Sequence, residues 1–93
     1  ILPHAVHYNR KAAPEAMSSV AKALDTPKAA GGLFDLAKQI GAPTSLKQLG
    51  FREENLDRVT DIFGESPYYN PAPVDRKSIR CLLQNAFDGV RPA

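Results

Sequence analysis

Arg76-Lys77-Ser78-Ile79-Arg80-Cys81-Leu82-Leu83-Gln84-Asn85-Ala86-Phe87-Asp88 carries the best-defined helical stripe in the chain: Ile79, Leu82, Leu83, Ala86 and Phe87 recur at three- and four-residue spacing. Asp75 stands where a helix takes its side-chain cap, and Gly89 where one is closed. Working back toward the N-terminus, the same period returns. Arg52–Phe63 reads as a helix with Leu56, Val59, Ile62 and Phe63 inward, Glu53 and Glu54 in its first turn and Gly64 as its stop. Before it, Pro43-Thr44-Ser45 opens a short helical turn ending at Gly50, capped by Thr44 or Ser45. Residues 29–40 read as a helix with Leu33, Phe34, Leu36, Ala37 and Ile40 on its apolar face, closed by Gly41 and weakened by Gly31-Gly32. Pro14 begins a helix over 14–24 whose buried stripe is Met17, Val20, Ala21 and Leu24, and Asp25-Thr26-Pro27 breaks it. Pro3 sits in the first turn of a short helix reaching about Tyr8.

Strand signals are poor, since β-branched residues are few and no stretch alternates apolar and polar for long. The expectation is an all-α bundle of about five helices with one proline-rich ordered loop, Glu65 to Val74. In that loop Pro67, Pro71 and Pro73 stiffen the backbone around Tyr68, Tyr69 and Asn70.

Composition bounds the function. Ninety-three residues make one small domain, and 43% apolar with 24% charged residues is the ordinary globular range. The net charge of +2 is dispersed without a run of three basic residues, so no nucleic-acid partner is expected. No apolar stretch has the roughly 20 residues of a membrane span. A single cysteine, Cys81, excludes an internal disulfide and suits a reducing, cytoplasmic compartment. It lies one position off the apolar stripe with no His or Lys close in sequence, which reads as a structural thiol.

Two constellations bear chemistry. His4 and His7, both of the chain's histidines, lie three apart on a helix and could share a metal or a substrate; two packing or surface histidines are the plainer reading. Pro67-Tyr68-Tyr69-Asn70-Pro71 offers phenols and a carboxamide on stiff backbone, suited to a hydrogen-bonding rim; equally, one tyrosine could fill core while the other is exposed. Paired catalytic carboxylates, a phosphate-cradling glycine loop and CxxC are all absent from the sequence.

Three stretches in order, Leu2-Pro3-His4-Ala5-Val6-His7-Tyr8-Asn9, Gly41-Ala42-Pro43-Thr44-Ser45-Leu46 and Pro67-Tyr68-Tyr69-Asn70-Pro71, resemble landmarks of the iron-containing alcohol dehydrogenase superfamily. The tyrosine-rich loop resembles its maleylacetate reductase branch, where many alcohol dehydrogenases carry a cysteine. The resemblance covers essentially the whole chain and implies the last part of a helical C-terminal domain of a two-domain enzyme. The dinucleotide-binding domain and the metal-ligand histidines and aspartate of metal-using relatives would lie upstream of Ile1.

It further implies an oxidoreductase that reduces the carbon–carbon double bond of maleylacetate to 3-oxoadipate with NADH or NADPH, with no metal expected. The substrate is a small dicarboxylate and the complete enzyme a homodimer. His4 is expected at the active site, with Tyr8, Tyr68 and Asn70 as substrate-binding residues and His7 and Tyr69 as weaker candidates. The isolated chain is expected to be inactive. A fragment of a metal-dependent alcohol dehydrogenase and a free-standing helical interaction module are the alternatives.

Overall fold

In the computed structural model residues 1–65 and 70–92 are described, Gly64 and Glu65 by their backbone alone. They form five α-helices: α1 (Leu2–Asn9), α2 (Pro14–Leu24), α3 (Ala29–Gln39), α4 (Leu56–Glu65) and α5 (Arg76–Asp88). No strand occurs among the described residues. The all-α expectation holds, and α2 and α5 run over the residues their patterns indicate. Around Pro71 the proline-rich segment is described only from Asn70 onward.

The helix ends follow from local chemistry. Asp75 caps α5 twice, its carboxylate accepting from the Ser78 backbone N–H at 2.9 Å and from the Ser78 hydroxyl at 2.8 Å. Those bonds, the backbone one first, hold the Asp75 carboxyl below the usual carboxylate range. Gly89 closes α5 at φ +72°. Beyond α3, Ala42 N–H reaches back to the Ala37 carbonyl at 2.9 Å, with Gly41 at φ +77° making the reversal.

Four expectations are corrected. Residues 46–50 form isolated turns instead of a helix, although Ser45 Oγ accepts from Gln48 N–H as a cap would. The helix expected from Arg52 begins as a 3-10 turn, Glu53–Asn55, and becomes α-helical at Leu56; it continues through Gly64 to Glu65. The α2 stripe is only half-buried. Leu36, Ile40 and Ile62 are exposed. In α3 the buried residues are instead Ala29 to Gly32 and Phe34, because the first turns, not the last, face α1 and α2.

The main core joins α4, α5 and the turn at Leu46. Leu46, Leu56, Ile79, Leu83, Ala86 and Phe87 are buried there, with Phe51, Val59, Phe63 and Leu82 around them. Leu46 is docked by its N–H on the Ala86 carbonyl at 2.9 Å. A second packing centre lies between α1 and α3, where small residues let the helices approach. The Gly31-Gly32 pair weakens helix propensity and yet is used. A Cβ on Gly31 would stand 2.8 Å from the Arg91 guanidinium, and one on Gly32 would collide with Thr26.

Candidate functional site

His4 sits at the junction of α1, α3 and the C-terminal tail. The residue is 6% exposed, and its ring meets Phe34 edge-on at a centroid distance of 6.4 Å. Nε2 lies 2.7 Å from the Val90 carbonyl, so this nitrogen carries the proton and donates. Nδ1 is buried and has no hydrogen-bond partner. Burial pushes the pKa down more than the Val90 carbonyl pushes it up, so the ring is held neutral. A buried ring whose one N–H is spent on the backbone has no proton to hand to a substrate. His4, expected from sequence at the active site, lies in the wall of a groove between α1 and α5, with its one N–H bound to the tail.

Next to His4, α1, α5 and the tail enclose an open groove of about 700 Å³. Its polar wall includes His7, Tyr8, Arg10, Lys77, Ser78 and Arg91, and among the described residues no Asp or Glu lines it. Arg91 is already paired, its guanidinium donating to both oxygens of Asp35 at 2.9 Å, and the Asp35 carboxyl is lowered chiefly by that bond. Arg10 donates once, to the His7 carbonyl at 2.8 Å, leaving four of its five N–H groups. Arg10 and Lys77 are the groove's lysine and arginine side chains outside any ion pair among the described residues, with Lys77 near enough to Asp75 to help lower its carboxyl. Cys81, read from sequence as a structural thiol, is exposed and also lines this groove.

On the far side of Tyr8 the last turn of α1 clamps the segment 70–73. Asn9 Nδ2 donates to Asn70 Oδ1 at 3.0 Å, and Asn70 Nδ2 donates back to Asn9 Oδ1 at 2.7 Å. Asn9 Oδ1 also accepts from the Ala72 N–H at 3.1 Å, and Asn70 Nδ2 donates to the Ala72 carbonyl at 2.8 Å. One residue on, the Pro73 carbonyl accepts from the Tyr8 hydroxyl. Both amide protons of Asn70 are therefore consumed within the fold. A largely apolar cavity of about 220 Å³ lies beneath, walled by Tyr8, Asn9, Asn70, Val74 and Leu82 among others.

The structure thus brings together His4 and Tyr8 at the groove, and Tyr8 and Asn70 at the clamp. Tyr68 and Tyr69 lie outside the described residues. Asn9, Arg10 and Lys77 are residues that site reasoning passed over; the signal for Asn9 was the Tyr8-Asn9 pair at the end of α1, matched by Asn70-Pro71 sixty-one residues later, and the two cations had none.

No three His, Cys, Asp or Glu side chains gather into a metal site among the described residues. His4 and His7 do not form one, since the His4 Nε2 is turned onto Val90. The described residues do not by themselves supply the ligands of an iron centre. They also offer no glycine-rich turn for a dinucleotide.

The description "Fe-containing alcohol dehydrogenase family, C-terminal" matches residues 1–87. Maleylacetate reductase of Burkholderia cepacia is 47% identical over 93 residues, the whole of this chain and 26% of that protein. Maleylacetate reductase 1 of Rhodococcus opacus is 42% identical, over 99% of this chain and 26% of its own length. The crystal structure of maleylacetate reductase from a Rhizobium strain superposes with a TM-score of 0.92 at 39% identity, covering 99% of this chain and 26% of the other. The chain spans about a quarter of the length of these relatives, and it belongs to the Fe-containing alcohol dehydrogenase family as part of its C-terminal helical domain.

Proposed function

We propose that this chain is the C-terminal helical part of an oxidoreductase that reduces the double bond of maleylacetate, using NADH or NADPH held mainly outside these residues. The observation that carries the reading is the run of similarity to maleylacetate reductases from end to end of the chain, at 47% and 42% identity. The groove between α1 and α5 supports it chemically. A dicarboxylate needs cations or several neutral donors and is repelled by carboxylates. Arg10 and Lys77 supply the first, and the absence of acidic lining residues among those described satisfies the second.

In this reading the two cations bind and orient the substrate, and Tyr8, its hydroxyl held by Pro73, shapes the wall of the groove between them. Reduction of an alkene conjugated with a carbonyl builds negative charge on an enolate oxygen, which fixed positive groups stabilise. His4, neutral and donating to Val90, holds the tail that forms the groove's edge. Tyr68 remains a proposed substrate contact from sequence.

The test is to follow NADH and NADPH oxidation by the full-length protein with maleylacetate. Substrate-dependent oxidation with one of the two coenzymes is expected. Turnover of simple primary alcohols on addition of ferrous iron, with none of maleylacetate, overturns the reading in favour of a metal-dependent alcohol dehydrogenase. The separated 93-residue chain is expected to oxidise neither coenzyme.

A further inference from the structure

We infer that Asn9 is a positioning residue for substrate binding, acting on Tyr8 through the segment 70–73; the inference rests on the reductase reading above. Asn9 is half-buried at the end of α1, and its side chain points away from the groove into the clamp. Its three hydrogen bonds, two with Asn70 and one from the Ala72 N–H, fix the backbone that leads into Pro73. The Pro73 carbonyl then holds the Tyr8 hydroxyl, and the Tyr8 ring lines both the groove and the 220 Å³ cavity behind it. A carboxamide suits this place because it must donate and accept at once without carrying charge.

The link is directional in a useful way. No backbone–backbone hydrogen bond ties residues 70–73 to a helix among the described residues, so their register depends on side chains from α1. Losing Asn9 leaves the Ala72 N–H without its partner and Asn70 tied only to the Ala72 carbonyl within its own segment, which lets the Pro73 carbonyl move. Tyr8 then loses its orientation without itself being altered.

The experiment uses the full-length protein carrying this segment, with KM and kcat for maleylacetate measured for Asn9→Ala, Tyr8→Phe and the double variant. Asn9→Ala is expected to raise KM for maleylacetate about tenfold, equivalent to about 1.4 kcal/mol, with KM for the coenzyme and kcat within twofold of the parent. Tyr8→Phe, which cuts the tie to Pro73, is expected to raise KM similarly, and the double variant no further. Asn9→Asp keeps both acceptor bonds at Oδ1 and is expected to recover part of the loss. A fall in kcat at unchanged KM, or additive effects of the two substitutions, overturns the inference. Amide hydrogen exchange at Ala72 supplies a readout that needs no turnover. Faster exchange is expected in Asn9→Ala, and an unchanged rate overturns the clamp even in a protein that fails to reduce maleylacetate.

Discussion

The imidazole of His4 donates from Nε2 to the carbonyl of Val90 at 2.7 Å, joining the first turn of the chain to its last four residues. The other nitrogen is buried without a partner, so protonation would place a charge where nothing accepts it. The folded-state pKa accordingly lies below the ordinary value of 6.5, with burial as the leading cause. The sign follows. Above pH 6.5 both folded and unfolded chains hold the ring neutral and stability is unaffected. As pH falls below 6.5 the unfolded chain takes up a proton that the folded one resists, and stability drops by at most about 1.4 kcal/mol per pH unit until the folded pKa is reached. Urea midpoints measured from pH 8 to pH 5 should fall for the parent and fall less for His4→Gln. Parallel profiles would show that His4 does not titrate in this way.

Gly32 and Thr26 are pressed together where α2 gives way to α3. Thr26 is held by its own hydroxyl, which donates to the Lys28 carbonyl at 3.2 Å. A methyl group at residue 32 would lie 3.0 Å from Thr26 Cγ2 and closer still to Oγ1. Alanine gains about 1 kcal/mol of helix propensity over glycine, but overpacking costs about 1–3 kcal/mol. Gly32→Ala should therefore lower stability on balance, and adding Thr26→Ala should restore part of it. A more stable Gly32→Ala variant in chemical denaturation would refute the close approach.

Leu56 is the one large side chain among the described residues with no exposure, and it anchors the cluster between α4 and α5. Leu56→Ala should cost about 2–5 kcal/mol, and Leu56→Met less than about 1.5 kcal/mol. The outward pairs Arg80–Asp57 and Arg76–Asp61 tie the same two helices from the surface and should contribute far less. Denaturation midpoints of Leu56→Ala and Asp57→Ala decide the order, and equal losses would contradict it.

How much of this was legible follows from what each pattern reports. Asp75 and Gly89 bracket a stripe in which Ile79, Leu83, Ala86 and Phe87 are buried and Leu82 is half-buried, and α5 was readable to the residue. Leu36, Ile40 and Ile62 obey the same helical period and are nonetheless exposed, because periodicity reports that a face is apolar and not that something lies against it. Gly31-Gly32 read as a weakness, since propensity is local, whereas the Arg91 and Thr26 side chains that require small residues there come from elsewhere in the chain. His4 was legible as a special residue. Its hydrogen bond was not, because the Val90 carbonyl that accepts from its Nε2–H is 86 positions away. Asn9 and Asn70 pair across a similar gap, and only their place in the family's landmarks hinted at it.

Lys77 lies in the first turn of α5, where Asp75 and Ser78 fix the start of the helix and so the direction in which its side chain leaves. With Arg91 committed to Asp35, Lys77 and Arg10 carry the charge that a dicarboxylate would meet in the groove. Lys77→Ala in the full-length protein should raise KM for maleylacetate several-fold, and Lys77→Glu should raise it further, because reversal adds repulsion to the lost attraction. Both effects should shrink as salt is raised from low concentration toward 0.5 M, since the groove is open and the charges are screened. Lys77→Arg should stay near the parent. Unchanged KM in Lys77→Glu would move the dicarboxylate out of this groove.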